Sequence, residues 1–306
     1  MLDSSKASNS VIRAKYDTTS ISSKRTRTVE EFDVLRKQGS QIKIYELAGD
    51  LIFSSADHVL ETILKELDIT TYIILDFKRV TSVKKSACYL LASLIRIVQE
   101  KNKHIYFTNT DFQFNKTLKY QLDKELFNEV QQFHENDAAL ECCEDSLIFS
   151  FIEKKKITDK VSLSEQPVLK EFDDEELQYI KKLMNKRVYT KGDIIVSEGD
   201  KSNALYFITI GEANITMLNE KNNSRKRVAT LSAGMSFGEM SIIDKKERSA
   251  TVSAESDIEC YELVFSNFDE KISNERPDIK IKLLTNIVED LSNKLRKVNQ
   301  EIRAYQ

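Results

Sequence analysis

The placement of glycine is the feature that most restricts how this chain of 306 residues can fold. Glycine adopts positive φ angles at little steric cost, so it marks sharp turns and places where another group approaches the backbone. Five of the seven glycines fall within one stretch of the second half, at Gly192, Gly199, Gly211, Gly234 and Gly238. Turns at intervals of roughly ten residues, separated by short apolar runs, predict a β-rich domain. The two prolines, Pro167 and Pro277, bracket that domain.

Upstream of these glycines, strand-like and helix-like patterns alternate between residues 40 and 152. The runs 42–47 and 51–53 predict a hairpin around Gly49-Asp50. A continuous apolar run at 72–77 is typical of a strand that is covered on both faces. Apolar residues at helical spacing predict helices at about 56–67, 86–100, 114–122 and 136–145. The alternation predicts a small α/β domain, a sheet with helices packed on it.

The remaining segments set the predicted domain limits. Residues 1–39 are polar, and the stretch 18–28 within them carries seven hydroxyl and three basic side chains. We interpret this segment as an extended linker or arm, with an arm for nucleic acid as the alternative. The predicted order is a linker at 1–39, an α/β domain at 40–152, a charged connector at 153–168, a β-rich domain at 169–276 and a C-terminal helix at 277–306.

After Pro277 the apolar residues are spaced alternately three and four apart. They are Ile281, Leu284, Val288, Leu291, Leu295, Val298, Ile302 and Tyr305. This heptad pattern predicts a long helix, which either folds back along its own domain or pairs with a partner chain. We favour a homodimer through 281–305, because one side of a small domain rarely needs so regular a stripe.

Composition excludes several classes of protein. With 46 basic and 49 acidic residues, the chain lacks the strong positive charge of a dedicated nucleic-acid binder. Its longest apolar stretch, 89–95, is too short to span a bilayer, and the N-terminus has no apolar core of a secretory signal. Three histidines far apart in sequence predict no metal site. The spacing of the four cysteines matches neither a disulfide framework nor a zinc site; they are Cys88, Cys142, Cys143 and Cys260. Cysteines without such spacing are typical of proteins in the reducing cytoplasm.

One short segment combines the groups that a phosphorylated ligand requires. Gly238 allows a ligand to approach the backbone, and Glu239 presents a carboxylate beside it. Residues 240–243 predict one helical turn with free N–H groups for an anion. Arg248 supplies a guanidinium fork for phosphate oxygens, and Ser249 adds a hydroxyl donor. Because a carboxylate repels phosphate, we expect Glu239 to bind sugar hydroxyls. Phosphate and ribose contacts this close together predict a compact, cyclised nucleotide.

The same segment resembles the phosphate-binding cassette of cyclic nucleotide-binding domains, and residues 191–215 resemble the β-roll of that family. The resemblance covers about 169–300 and implies a double-stranded β-helix followed by a long C-terminal helix. Glu239 would bind the ribose 2′-hydroxyl and Arg248 the cyclic phosphate. The implied site is Phe237, Gly238, Glu239, Met240, Ser241, Arg248, Ser249 and Ala250. A β-roll without ligand, with Glu239 and Arg248 as a surface pair, is the alternative. The pattern does not distinguish cyclic AMP (cAMP) from cyclic GMP (cGMP).

The first domain resembles STAS domains, which are named from sulfate transporters and anti-sigma factor antagonists. The resemblance covers about 40–152, rests on residues 42–60, 72–80 and 133–148, and implies an α/β sandwich. Antagonists of that family carry a phosphorylatable serine after the central strand. Here Lys85 stands in its place, with Ser86 next to it. The resemblance therefore implies a docking or scaffold domain rather than a phosphoserine switch.

A STAS domain followed by a cyclic nucleotide-binding domain is similar to the C-terminal half of some bacterial glutaminases and of some sulfate-transporter-like permeases. The stretches 10–28 and 45–55 look closer to the glutaminase type. That enzyme needs a Ser-x-x-Lys nucleophile, and the two matches here, Ser40 to Lys43 and Ser82 to Lys85, are attributed to chance.

We therefore expect a non-catalytic regulator with no cofactor, which binds cAMP or cGMP and relays binding through its C-terminal helix and its STAS-like domain. The alternative is the detached or truncated regulatory tail of a glutaminase. In that case the partner of the STAS-like domain would be a glutaminase catalytic domain.

Overall fold

The computed structural model describes residues 11–122, 126–127, 130–152, 160–201, 203–219 and 224–304. Internal contacts divide them into two compact units. The first unit contains described residues within 11–23 and 27–152, and the second those within 24–26 and 160–304. No helix in the described part of the chain is both long and apolar enough to cross a bilayer.

The first unit is built on one mixed sheet. Its described strands are β1 (Ile12–Asp17), β2 (Ile42–Leu51), β3 (Tyr72–Val83), β4 (His104–Thr108) and β5 (Gln131–Phe133). They lie in chain order, with β1 antiparallel to β2 and the other neighbours parallel. Residues 72–77 of the central strand β3 are all buried, as their apolar run predicts.

Helices cover both faces of this sheet. The described helices are α1 (Val29–Gln38), α2 (Phe53–Glu66), α3 (Lys85–Glu100), α4 (Phe112–Lys119) and α5 (Asn136–Phe149). One apolar core lies between the sheet and α2, α3 and α4, and a second lies between the opposite face and α1 and α5. Because both faces of the sheet are apolar, a layer of helices is needed on each face to shield it from water.

Two predictions for this unit are wrong. Residues 1–10 of the predicted linker at 1–39 lie outside the described residues, and the rest is not a linker, because it forms β1 and α1 of the first unit. Thr28 caps α1 by accepting a hydrogen bond from the Glu31 amide, and the Glu31 carboxylate accepts one from the Thr28 amide. The predicted hairpin around Gly49 is instead a single strand, β2. Gly49 has a φ of +78°, and the pairing of β2 with β3 shifts register next to it, so this glycine serves a bulge rather than a turn.

The second unit is a roll of two antiparallel sheets. Its described strands are β6 (Met184–Tyr189), β7 (Ile194–Val196), β8 (Ala204–Ile210), β9 (Glu212–Asn219), β10 (Ser224–Ser232), β11 (Ser236–Phe237), β12 (Thr251–Ala254) and β13 (Ile258–Val264). One sheet has the order β10-β9-β12-β7 and the other β11-β8-β13-β6. Gly192, Gly199, Gly211 and Gly234 all have positive φ angles between or beside these strands. These features confirm the predicted fold class: an α/β sandwich followed by a β-roll and a long helix.

Helical segments complete the second unit. They are two 3₁₀ turns (Leu163–Glu165 and Pro167–Leu169), α6 (Asp174–Lys182), α7 (Met240–Asp244), a π-helical stretch (Asn267–Ile272), α8 (Ser273–Glu275) and α9 (Pro277–Ala304). Within the predicted connector at 153–168, the 3₁₀ turns show that its second half is folded. Asp173 caps α6 by accepting a hydrogen bond from the Glu176 amide.

The long helix α9 has two apolar faces. Ile279, Leu283 and Ile287 are fully buried against the helical part of the second unit, and Leu284 and Leu291 pack beside them. Other heptad positions point away from this core: Ile281, Val288 and Leu295 are 66%, 54% and 62% exposed. The side chains of Val298 and Ile302, and residue Tyr305, lie outside what the structure describes. One face therefore folds back on its own unit, while the heptad positions 281, 288 and 295 remain exposed.

Candidate functional site

The candidate site forms where the chain leaves β11 and enters the short helix α7. Phe237 ends β11 and is buried, and its ring stacks on that of Tyr206 with centroids 4.8 Å apart. Gly238 follows with a φ of +90°, and α7 starts at Met240, which is the helical turn expected at 240–243. This geometry turns the backbone sharply beside the side chain of Arg248, which lies in the loop before β12.

Glycine is needed at position 238 because neighbouring atoms leave no space for a side chain, as well as because of the backbone conformation. A Cβ atom at this position would lie 2.4 Å from Nη1 of Arg248 and 2.8 Å from the carbonyl oxygen of Ala204. Both distances are shorter than van der Waals contact allows. The guanidinium therefore lies directly against the backbone of the turn.

Gly192 offers a matched comparison, because it has a φ of +94° but no heavy atom within 4 Å of the point where a Cβ atom would lie. We expect Gly192→Ala to lower the free energy of unfolding by about 1 kcal/mol, the cost of a left-handed backbone conformation for an L-residue. Gly238→Ala adds steric conflict with the backbone carbonyl of Ala204 as well as with Arg248, so its loss should exceed about 2 kcal/mol. Urea unfolding of both variants measures the difference. Equal losses would show that Gly238 is needed only for its φ angle.

Arg248 is a buried charged residue of the second unit. It is only 6% exposed, and its Nη2 donates a hydrogen bond to the Ala204 carbonyl at 2.8 Å. Its Nη1 is buried and has no hydrogen-bond partner among the residues that the structure describes. Burial is the main influence on the pKa of Arg248 and lowers it, although arginine remains protonated at neutral pH. A buried, charged donor without a partner is unfavourable, and an anion would satisfy it.

The glycine turn at 198–200 holds the backbone of Arg248. The Gly199 amide donates to the Arg248 carbonyl at 2.8 Å, and the Arg248 amide donates to the Asp200 carbonyl at 2.9 Å. The guanidinium carbon lies 5.7 Å from the centre of the Tyr206 ring. Backbone and side chain are thus both fixed by the β-roll, which preorganises the positive charge.

Glu239 lies on the other side of the turn and is also buried, at 8% exposure. Its Oε1 accepts a hydrogen bond from Nζ of Lys294 on α9 at 2.9 Å. Lys294 also pairs with Asp290, one turn earlier on that helix, at 2.8 Å. Burial alone would lower the pKa of Lys294, but the two carboxylates outweigh it and the net pKa is raised. Sequence reasoning missed Lys294; the i,i+4 pair of Asp290 and Lys294 was the only local signal.

The other predicted site residues lie around these two. Ser249 is exposed, with its Oγ 4.0 Å from Sδ of the half-exposed Met240, and Ala250 is half-buried. Ser241 is the second residue of α7. The alternative of a surface pair does not describe Glu239 and Arg248, because both are buried and each contacts a different partner.

Comparisons with known families agree with both resemblances. Residues 186–275 match the cyclic nucleotide-binding domain family, and residues 34–134 match the STAS domain family. The first match includes the turn at Gly238 together with Arg248, and the second includes β2, β3 and β4. The chain therefore contains one domain of each family.

Two glutaminases of Bradyrhizobium diazoefficiens are similar to almost the whole chain. Glutaminase 2 is 29% identical over 291 residues, which are 95% of this chain and 46% of that protein. Glutaminase 1 is 28% identical over 305 residues, 99% of this chain and 48% of that protein. The chain thus spans about half the length of these relatives, and the predicted resemblance to bacterial glutaminases is confirmed. The cAMP-dependent protein kinase regulatory subunit of Schizosaccharomyces pombe is 29% identical over 140 residues, 46% of this chain and 32% of that protein.

Proposed function

We propose that this chain, which joins a STAS domain to a cyclic nucleotide-binding domain, is a non-catalytic regulator that binds cAMP or cGMP at the turn around Gly238. The observation that carries the proposal is the buried Nη1 of Arg248, for which the described part of the chain supplies no hydrogen-bond acceptor. A cyclic phosphate supplies the charged acceptor that this donor lacks. The ribose supplies hydroxyl donors for the carboxylate of Glu239, which lies next to Gly238 in the chain.

Calorimetric titration tests the proposal directly. Folded protein, freed of any carried-over nucleotide, is titrated first with cAMP and then with cGMP. We expect saturable heat with at least one of them, and the tighter ligand shows which nucleotide the site prefers. Absence of heat with both nucleotides would contradict the proposal and leave the β-roll as a scaffold.

We further propose that binding is relayed through α9 and the STAS domain. Helix α9 carries Lys294, the partner of Glu239, as well as the exposed residues Ile281, Val288 and Leu295. These three residues are seven apart, so they form one stripe along a helix face. A second copy of the chain is the proposed occupant of that stripe. The STAS domain would then dock a separate protein partner.

We expect the wild-type chain to be a dimer at tens of micromolar, because exposed apolar residues at heptad spacing gain most when they pack against each other. Replacing Ile281, Val288 and Leu295 together by serine should yield a monomer in light scattering. The control is Val188→Ser, which removes an equally exposed apolar side chain from the edge strand β6. A monomeric wild type, or a triple variant that stays dimeric, would contradict dimerisation through this stripe.

A second candidate function is the regulatory part of a glutaminase. The observation that favours it is the similarity of two glutaminases over 95% and 99% of this chain. The chain itself should then hydrolyse no glutamine, whereas its addition to a catalytic glutaminase domain should make that activity respond to the cyclic nucleotide. If neither the chain nor the nucleotide changes the activity of the catalytic domain, only the first candidate function remains.

We place the protein in a reducing compartment such as the cytoplasm. Its four cysteines are all free, and Cys88, Cys143 and Cys260 are buried. Burial raises the pKa of each of these three thiols. They behave as small apolar core residues, which need no oxidising environment.

A further inference from the structure

We infer that Lys294 of α9 acts as a latch on the sugar side of the nucleotide site and lowers the affinity of the free protein for its ligand. This inference rests on the proposed function and adds a residue to it. Lys294 is the only side chain that the described part of the structure places in hydrogen-bond contact with the Glu239 carboxylate. The contact joins the nucleotide-binding turn to a residue of α9 that is 55 positions later in the chain.

The burial of Glu239 indicates that its contact with Lys294 has to open when a nucleotide binds. With Lys294 in place, Glu239 is 8% exposed, so little of the carboxylate surface is free for a ribose hydroxyl. The Nζ of Lys294, 2.9 Å from Oε1, occupies one of the few positions from which a sugar hydroxyl can donate to this buried carboxylate. A bound nucleotide therefore competes with Lys294 for the same buried carboxylate.

Charge balance shows why the exchange is feasible. Removing one partner of a buried ion pair is costly when it leaves an uncompensated charge. Lys294 keeps Asp290 as a partner on its own helix, at 2.8 Å, when it releases Glu239. Glu239 in turn receives the ribose hydroxyls. Both charges stay paired or hydrogen-bonded, so the exchange converts one satisfied arrangement into another.

The latch also couples the ligand to α9. If the nucleotide weakens the contact of Lys294, then the contact weakens nucleotide binding by the same factor. Breaking it removes the ion pair that holds Lys294 of α9 to the nucleotide-binding turn, next to the exposed Leu295. Nucleotide occupancy would thereby reach the helix face that we propose for dimerisation.

The test compares three variants by calorimetric titration with the nucleotide that binds wild type more tightly. Lys294→Met removes the ammonium but keeps an apolar stem of similar length, and should bind roughly 10-fold more tightly, within the range of typical coupling factors of about 5 to 150. Lys294→Arg restores a cation and should return to within about 3-fold of wild type. Lys170→Met is the control, because it breaks a different ion pair of α9, with Glu289, and should not change affinity.

Hydrogen exchange gives a readout that does not depend on affinity. In wild type, nucleotide should speed amide exchange in 290–296, whereas Lys294→Met should show fast exchange there without ligand. Affinity that is unchanged or reduced in Lys294→Met, in a protein whose wild type binds nucleotide, overturns the latch alone. Failure of wild type and Lys294→Met to bind either nucleotide overturns the proposed function and the latch together. Binding by Lys294→Met alone supports both.

Discussion

Replacing Arg248 by alanine is expected to weaken nucleotide binding roughly 30- to several-thousand-fold, which corresponds to about 2–5 kcal/mol. The physical reason is the loss of a desolvated cation that is held against the backbone of Gly238 and has an unused donor at Nη1. An alanine would leave the cyclic phosphate in a buried position without a charged partner. Calorimetric titration of wild type and variant measures the change directly.

The control for this prediction is Arg276→Ala. Arg276 also belongs to the second unit, but its ion pairs with Asp278 and Glu175 lie at the surface. Exposed pairs of this kind contribute little, and Arg276 lies outside the candidate site, so Arg276→Ala should leave the titration curve unchanged. Thermal unfolding of both variants confirms that each is folded. An unchanged curve for Arg248→Ala would refute the assignment of the phosphate contact.

The core of the candidate site could be predicted from sequence because its determinants are local. Gly238, Glu239 and Arg248 lie within eleven consecutive residues, joined by a helical turn whose length sets their separation. Gly238 has a φ of +90°, and the guanidinium of Arg248 lies against it. These two constraints leave few other backbone conformations for the segment. Short-range spacing therefore carried enough information to bring these residues together.

Contacts between distant segments could not be predicted in the same way. Nothing in the spacing of residues indicates that Lys294 reaches Glu239, because that contact depends on how α9 packs. The packing itself is set by Ile279, Leu283 and Ile287, which are four residues apart and were hidden beside the more regular heptad. Their spacing of i, i+4, i+8 was the available signal for a second apolar face.

The N-terminal segment shows a further limit of predicting structure from amino-acid composition. Residues 18–28 are rich in hydroxyl and basic side chains, which is typical of a solvated linker, yet Arg27 is buried in the first unit. Its partner Glu144 is more than a hundred residues away, on α5. A buried charge is tolerated only when its partners are in place, and those partners are visible only in the fold.

Replacement of Arg27 by methionine should lower the free energy of unfolding of the first unit by about 3–5 kcal/mol, the usual cost of removing one partner from a buried ion pair. Glu144 accepts four hydrogen bonds: two from Arg27, at 2.8 and 3.3 Å, and two from the amide and hydroxyl of Ser23, at 2.8 and 2.6 Å. Burial alone would lower the pKa of Arg27, but Glu144 and Asp145 outweigh it and the pKa is raised. The variant leaves Glu144 buried without its cation.

Urea unfolding followed by circular dichroism measures this loss, with Arg13→Met as the control. Arg13 pairs with Glu46 on the same sheet, but it is largely exposed, so its removal should change stability by less than about 1 kcal/mol. The double variant Arg27→Met, Glu144→Gln removes both charges but keeps a side-chain oxygen that can accept from Ser23. It should recover part of the loss, because the penalty of Arg27→Met comes mainly from the unpaired carboxylate. If Arg27→Met is no more destabilising than Arg13→Met, the segment that enters α1 is held by its strand and helix contacts, and the ion pair contributes little.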